Sequence, residues 1–153
     1  MRLMSVAMTA DQVVDGSKDV TRRLGWLFVK EGDRLQLCRK VQGRRKGEPL
    51  DRLRAVEVVS VRRESLSCLI LDPDYGAREV AREGFPGLPP AEFIERYFID
   101  AQGVDARSQV TRIEWAYLCS ECETPETAAR VEAHGLCGSC LHNALRSGWE
   151  PPV

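Results

Sequence analysis

Two absences narrow the possibilities first. No apolar run in the 153 residues approaches the roughly 18 needed to span a bilayer, and no charged N-terminal segment leads into a long hydrophobic core. The expectation is a soluble, cytoplasmic protein with no membrane partner. A strong net charge is also missing. With 29% charged residues balanced to −1, the whole-chain charge gives no mandate for a nucleic-acid or membrane partner.

What is present fits one domain of ordinary size with a small appendage. Hydrophobic residues make up 43%, enough for a real core. Charge is distributed unevenly: residues 1–118 hold 20 Lys/Arg against 18 Asp/Glu, and residues 119–153 hold 2 against 5. Any basic surface is therefore expected in the first part. The division at 118/119 also separates the expected barrel, 1–118, from a cysteine-rich tail, 119–153.

Leu3 to Met8 is a compact apolar run suited to a buried first strand. Thr9 can cap a short helix over Ala10 to Asp15, with Gln12 as its capping-box partner and Gly16 as its stop. Then comes Gly16-Ser17-Lys18-Asp19-Val20-Thr21-Arg22-Arg23, which sets a lysine, a hydroxyl and two guanidinium groups within eight residues. A solvated surface turn uses similar residues, so composition alone leaves both readings open.

The turn Lys30-Glu31-Gly32-Asp33 leads into Arg34 to Arg39, where Leu35 and Leu37 alternate with polar neighbours at strand period. Cys38 and Cys68 have no partner cysteine nearby in sequence and read as packed thiols. Residues 39–46 carry five positive charges and no negative one, from Arg39, Lys40, Arg44, Arg45 and Lys46. Such a loop suits a phosphate backbone, and equally a merely solvated hairpin tip. Leu53 to Val61 is a strand rich in β-branched bulk, in which the doubled Val58-Val59 signals either a bulge or burial on both faces.

Ser67 to Leu71 suggests another short strand, and Gly76 to Glu83 a helix stopped by Gly84. Pro89 and Pro90 start a second helix whose Phe93, Ile94, Tyr97 and Phe98 form a core stripe rather than a base-stacking platform. Val110 to Tyr117 alternates for most of its length and is expected to close the sheet. The order β-α-β-β-β-α-α-β predicts an α+β fold, a mostly antiparallel barrel-like sheet with short helices at one side.

Four pieces in this order carry a family likeness: Gly16-x-Lys18-x-x-Thr21-Arg22, the Gly32-Asp33 turn before a strand, Glu83-Gly84-Phe85 ahead of a helix, and the strand Arg112-Ile113-Glu114-Trp115. Together they resemble the ASCH (activating signal cointegrator homology) domain over about residues 2–118. The resemblance implies a PUA-like β-barrel and a partner that is RNA, a nucleotide or a modified nucleoside. One subfamily of small bacterial ASCH proteins hydrolyses N4-acetylcytidine with a lysine, a threonine and a glutamate. On this chain Lys18 and Thr21 match the motif, and Glu83 is the counterpart of the glutamate.

Amide hydrolysis requires a nucleophile, a base to take its proton and an acid to return one to the leaving amine. Thr21 offers the hydroxyl, Lys18 the base once burial lowers its pKa, and Glu83 a group to orient the lysine or to shuttle the proton. A binding module uses the same polar mouth differently, with Lys18 and Arg22 or Arg23 on phosphate and Glu83 reading a base amino group. A purely structural Lys18–Glu83 pair is the third reading. Adjacent residues of an extended chain point opposite ways, so at most one of Arg22 and Arg23 is expected at the site.

Cys119-x-x-Cys122 and Cys137-x-x-Cys140 are separated by fourteen residues, the pattern of a four-cysteine structural Zn²⁺ module of treble-clef or ribbon type. Two disulfides are the alternative, which a cytoplasmic chain disfavours. His134 and His142 lie near but are not needed as ligands. Four thiolates on Zn²⁺ sum to −2 in a segment already acidic, so the tail suits a stapled structural element or a protein-binding surface better than a phosphate backbone.

Overall fold

The computed structural model describes residues 1–120, 125, 126, 140 and 146–148. A curled, mixed sheet forms its frame. In chain order the elements are β1 (Arg2–Ser5), α1 (Ala10–Val14), β2 (Val20–Arg23), β3 (Arg34–Cys38), β4 (Arg52–Ser65), α2 (Cys68–Leu71), α3 (Pro73–Arg82), α4 (Pro90–Ile94), β5 (Gln109–Leu118) and β6 (Pro125–Glu126). The strands lie in the order β1-β3-β4-β5-β2, with β6 paired to the end of β5. Only β1 and β3 run parallel; the other neighbours are antiparallel. The α+β class and the mostly antiparallel sheet therefore hold, but β1 and β2 remain two separate edges. The result is a half-barrel with an opening between them.

Two apolar clusters hold this frame. One fills the concave side of the sheet with Met4, Val13, Leu35, Leu37, Val56, Val58, Ile113 and Trp115. The other gathers Leu66, Leu69, Val80, Phe93, Ile94, Phe98 and Val110 beneath the helices. β5 serves both, which is why nine-residue alternation fails there and nearly every side chain from Val110 to Leu118 is buried.

Several local expectations change in the structure. Val20–Arg23, read as a polar segment leaving a helix, is a strand paired with β5 through Thr21↔Ile113 and Arg22↔Arg112. β5 is consequently an interior strand, not the closing one. Nothing in the short sequence Val-Thr-Arg-Arg announces this, because its pairing partner is some ninety residues away.

The Ser67 to Leu71 stretch is helical. Leu66 and Leu69 both enter the second cluster, and residues three apart share a side in a helical turn, whereas strand alternation separates them. Asp72 then caps α3 by accepting from Tyr75 N at 3.1 Å, with Pro73 in the first turn. The doubled valine is a bulge: Val58 faces Trp115, Ser60 faces Glu114, and Val59 is exposed. β1 ends at Ser5, and residues Ala7–Thr9 make a 3-10 turn that runs straight into α1. Thr9 makes no side-chain cap; Gln12 instead donates to Gly84 O at 3.0 Å, a tertiary bond that outcompetes the local box. Cys38 is a packed thiol, fully buried in the core, and burial pushes its pKa up.

Candidate functional site

The opening between β1 and β2 holds a cavity of about 460 Å³. One side is the end of β1 and the turn after it, Ser5 to Thr9; another is Lys18 with Thr21 to Leu24 on β2. Glu83 forms part of the floor, and Phe85, Phe93, Tyr97 and Phe98 an aromatic wall. That volume lies within the roughly 300–1,000 Å³ of small-molecule sites.

Lys18 is fixed at both ends. Its backbone N–H donates to Gln12 O at 3.1 Å, its carbonyl accepts from the Tyr117 hydroxyl, and the Tyr117 phenol is pushed by burial up to about 12. Its Nζ donates to Glu83 Oε2 at 3.1 Å and to Glu83 O at 2.7 Å. The second acceptor exists because Glu83 ends α3, where the last carbonyls lack helical partners. Gly84 follows at φ +105, a conformation glycine tolerates. Burial pushes the Lys18 ammonium below its ordinary value, against the opposing pull of Glu83.

Thr21 is buried on the same cavity. Its Oγ1 accepts from Arg23 Nε at 3.3 Å rather than bonding Lys18. Accepting there leaves the hydroxyl proton free to be donated elsewhere.

Arg22 and Arg23 divide as alternation requires only in part, since both reach the cavity. Arg22 is committed to the protein's own carboxylates: Glu64 at 2.7 Å, Glu83 at 3.1 Å and Glu79 at 3.2 Å. Although burial works against its charge, these carboxylates raise its pKa. Arg23 instead donates through Nη2 to Ser5 O at 2.6 Å, bridging the two sheet edges.

Behind Arg22 the ion pairs continue. Arg112 meets Glu79 at 2.8 Å and Glu114 at 3.1 Å, and Arg82 meets Glu114 at 2.6 Å and Asp19 at 2.9 Å. Burial pushes Glu79 and Glu114 up, but hydrogen bonds from Arg112, and from Arg82 to Glu114, hold both below the usual carboxylate value. A buried network of this kind contributes little net stability, but it leaves Glu83 one orientation.

Glu64, Glu79 and Tyr75, which reach Arg22, were not singled out from sequence. Glu79 had a signal: it lies four residues before Glu83, on one face of α3. The aromatic stripe has a second role as well as core packing. The helix continues from α4 as a π-helical turn, Glu95–Asp100, and this turn carries Tyr97 and Phe98 to the cavity, with Phe85 stacked on Tyr97 at 4.6 Å between ring centroids.

The basic segment is the exposed connection between β3 and β4, and it begins beside the cavity, where Ser5 Oγ donates to Arg39 O at 3.4 Å. Arg39 pairs with Asp51 at 2.9 Å and Lys40 with Glu48 at 3.5 Å, while Arg44 Nε donates to Val41 O. Of the four tail cysteines, Cys119 is buried at the end of β5 and Cys140 is half-buried; Cys122 and Cys137, and with them the zinc-site expectation, lie outside the described residues. Among the described residues no cluster of metal-ligating side chains occurs, and no helix is long and apolar enough to cross a membrane.

No family model matches the chain, and no curated protein matches it. Its structural neighbours are ASCH proteins. The crystal structure of ASCH from Zymomonas mobilis shares 11% identity over 98% of this chain and 81% of its own, with a TM-score of 0.46. Two mutant forms of the same protein give 12% and 14% identity with TM-scores of 0.46 and 0.45.

Proposed function

We propose that this chain is an ASCH-type, PUA-like domain of the cytoplasm that takes the base of a nucleotide or of RNA into the cavity between β1 and β2. The observation that carries this reading is the pairing, in one cavity, of an aromatic wall with the hydrogen-bonded Lys18–Glu83 pair. Flat rings offer stacking surface, and the pair offers a donor and an acceptor to the edge of a base. Titrating cytidine, N4-acetylcytidine and a short single-stranded RNA by calorimetry tests it. Binding that weakens about tenfold or more in Glu83→Ala is expected; no binding of any of the three would refute it.

A second reading, an amidohydrolase acting on an N-acylated base such as N4-acetylcytidine, is favoured by a specific geometry. Lys18 Nζ lies 3.1 Å from Glu83 Oε2, burial lowers the lysine's pKa, and the Thr21 hydroxyl lines the same cavity. In that scheme Thr21 Oγ bonds to the acyl carbon while its proton passes to neutral Lys18. The lysine then gives the proton to the departing amine, and water cleaves the Thr21 ester to release the acid and restore the hydroxyl. Glu83 holds the lysine, and Arg22 holds Glu83. Release of cytidine from N4-acetylcytidine that vanishes in Lys18→Ala and Thr21→Ala would establish the enzyme; binding without turnover leaves the reader.

For a polymer ligand, the exposed loop of Arg39, Lys40, Arg44, Arg45 and Lys46 extends the site along the phosphate backbone. Exposed ion pairs such as Arg39–Asp51 are weak and yield readily to phosphate. Neutralising Arg44, Arg45 and Lys46 should flatten the salt dependence of RNA affinity, and an unchanged slope removes the loop from the interface. The tail, 119–153, is proposed as a separate module in which Cys119, Cys122, Cys137 and Cys140 hold one structural Zn²⁺. Metal analysis of reduced protein should find about one zinc per chain.

A further inference from the structure

We propose that the cavity binds an anion and that Arg23 is its anchor, so that the ligand carries a phosphate or carboxylate beside its planar ring. The inference deepens, and rests on, the reading of the cavity as a base-binding site.

The charged side chains on the cavity are Lys18, Arg22, Arg23 and Glu83. Lys18 is matched by Glu83, and Arg22 by Glu64 and Glu79 behind it. Arg23 is the cation left over. Among the described residues no carboxylate lies within ion-pairing distance of its guanidinium; its partners are neutral oxygens, Ser5 O at 2.6 Å and Thr21 Oγ1 at 3.3 Å. Nη1 makes no hydrogen bond among those residues, and it is not shut away from solvent as Arg54 Nη2 is.

Such a charge is held at a cost. Burial works against it and Glu83 offsets this only from a distance, yet a guanidinium does not give up its proton. Its two neutral hydrogen bonds aim the fork rather than neutralise it. Ser5 O fixes Nη2 and Thr21 Oγ1 fixes Nε, leaving Nη1 and the remaining Nη2 proton to an oxyanion, which arginine takes in bidentate fashion. The cations of the adjoining ion-pair network, Lys18, Arg22, Arg82 and Arg112, each have at least one carboxylate within 3.1 Å, so carboxylates stand close by and none is directed at Arg23. Leaving Arg23 without one reserves the position for charge from outside. A neutral nucleoside does not supply that charge; a nucleotide does.

The test compares cytidine, cytidine monophosphates esterified at the 5′ or the 3′ position, and cytidine-5′-carboxylic acid, on wild type, Arg23→Gln and Arg23→Lys, with inorganic phosphate and acetate as bare anions. The wild type should bind at least one of the anionic ligands about tenfold or more tighter than cytidine, with that preference falling steeply with salt. Phosphate esters preferred over the carboxylate identify the anion as phosphate, and the reverse identifies it as carboxylate. In Arg23→Gln the preference, taken as the ratio of anionic-ligand to cytidine affinity within that variant, should fall to within about twofold, and Arg23→Lys should retain part of it. Thermal unfolding separates this from misfolding: a single cooperative transition in Arg23→Gln, even if lowered by loss of the Ser5 bond, shows that the fold is intact. Equal binding of cytidine and every anionic ligand by wild type overturns the anion site and leaves the base site standing. Arg23-dependent binding of phosphate or acetate without cytidine binding does the opposite. No binding of any probe overturns both, and a preference untouched by Arg23→Gln overturns the assignment of Arg23 as the anchor.

Discussion

Replacing Glu83 by Gln keeps shape and removes one charge from a side chain only 5% exposed. Two cations lose a partner. Arg22 retains Glu64 at 2.7 Å and Glu79 at 3.2 Å, so the loss falls chiefly on Lys18, which loses its carboxylate and keeps neutral acceptors, the backbone carbonyl of residue 83 at 2.7 Å and the amide oxygen of the new side chain. Removing one member of a buried ion pair costs about 3–5 kcal/mol. Retained partners on Arg22, and the ability of Lys18 to shed its proton, put this case near the lower end, about 3 kcal/mol at neutral pH.

The pH dependence has a definite sign. With its pKa lowered in the fold, Lys18 binds fewer protons in the native chain than in the unfolded one between its native value and its ordinary 10.5. Stability tied to it is therefore fully present above the unfolded value and is lost as pH falls through the native one. Glu83→Gln deepens that lowering, so its deficit should narrow as pH rises toward 10. Urea unfolding at pH 7 and pH 9.5 measures both values. Lys18→Met in the same background should recover about 1–3 kcal/mol, because the unmatched charge is gone. A deficit equal at both pH values, together with additive single and double variants, would refute the coupled buried pair.

Gly76→Ala should be among the most damaging single changes, because a Cβ there would stand 1.9 Å from Leu69 O, a backbone atom fixed by α2. A loss of about 3 kcal/mol or more, or no folded protein, is expected from overpacking against backbone; a variant melting like wild type would contradict the close approach of α2 and α3. Asp72→Ala removes the cap on Tyr75 N and should cost about 1 kcal/mol by urea unfolding, with Asp72→Asn recovering most of it. In acid, Glu79 and Glu114, held below the usual carboxylate value, contribute stability that is present above about 4.5 and lost as pH falls through their native values. Melting temperature should therefore drop below about pH 4.5, less steeply in Glu114→Gln, and parallel slopes would remove Glu114 from that acid transition.

Much of the frame was legible from the chain alone. Alternation located β3 and part of β5, β-branched bulk located β4 with a bulge as one of two readings of its doubled valine, Gly16 and Gly84 marked helix ends, and the Lys18, Thr21 and Glu83 motif pieces named three residues that do share one cavity. These are local signals: side-chain period, backbone tolerance and short motifs depend on neighbours in sequence. Tertiary structure decided the rest. Val20–Arg23 is a strand because β5 offers it a partner, Ser67 to Leu71 is helical because Leu66 and Leu69 must share one cluster, and the aromatic stripe, divided between α4 and the π turn, lines the cavity as well as the second cluster. The division of labour between Arg22 and Arg23 also came only from the fold. Both are arginines in one strand, and only the three glutamates gathered around the first, from β4 and α3, leave the second free to meet a charge from outside.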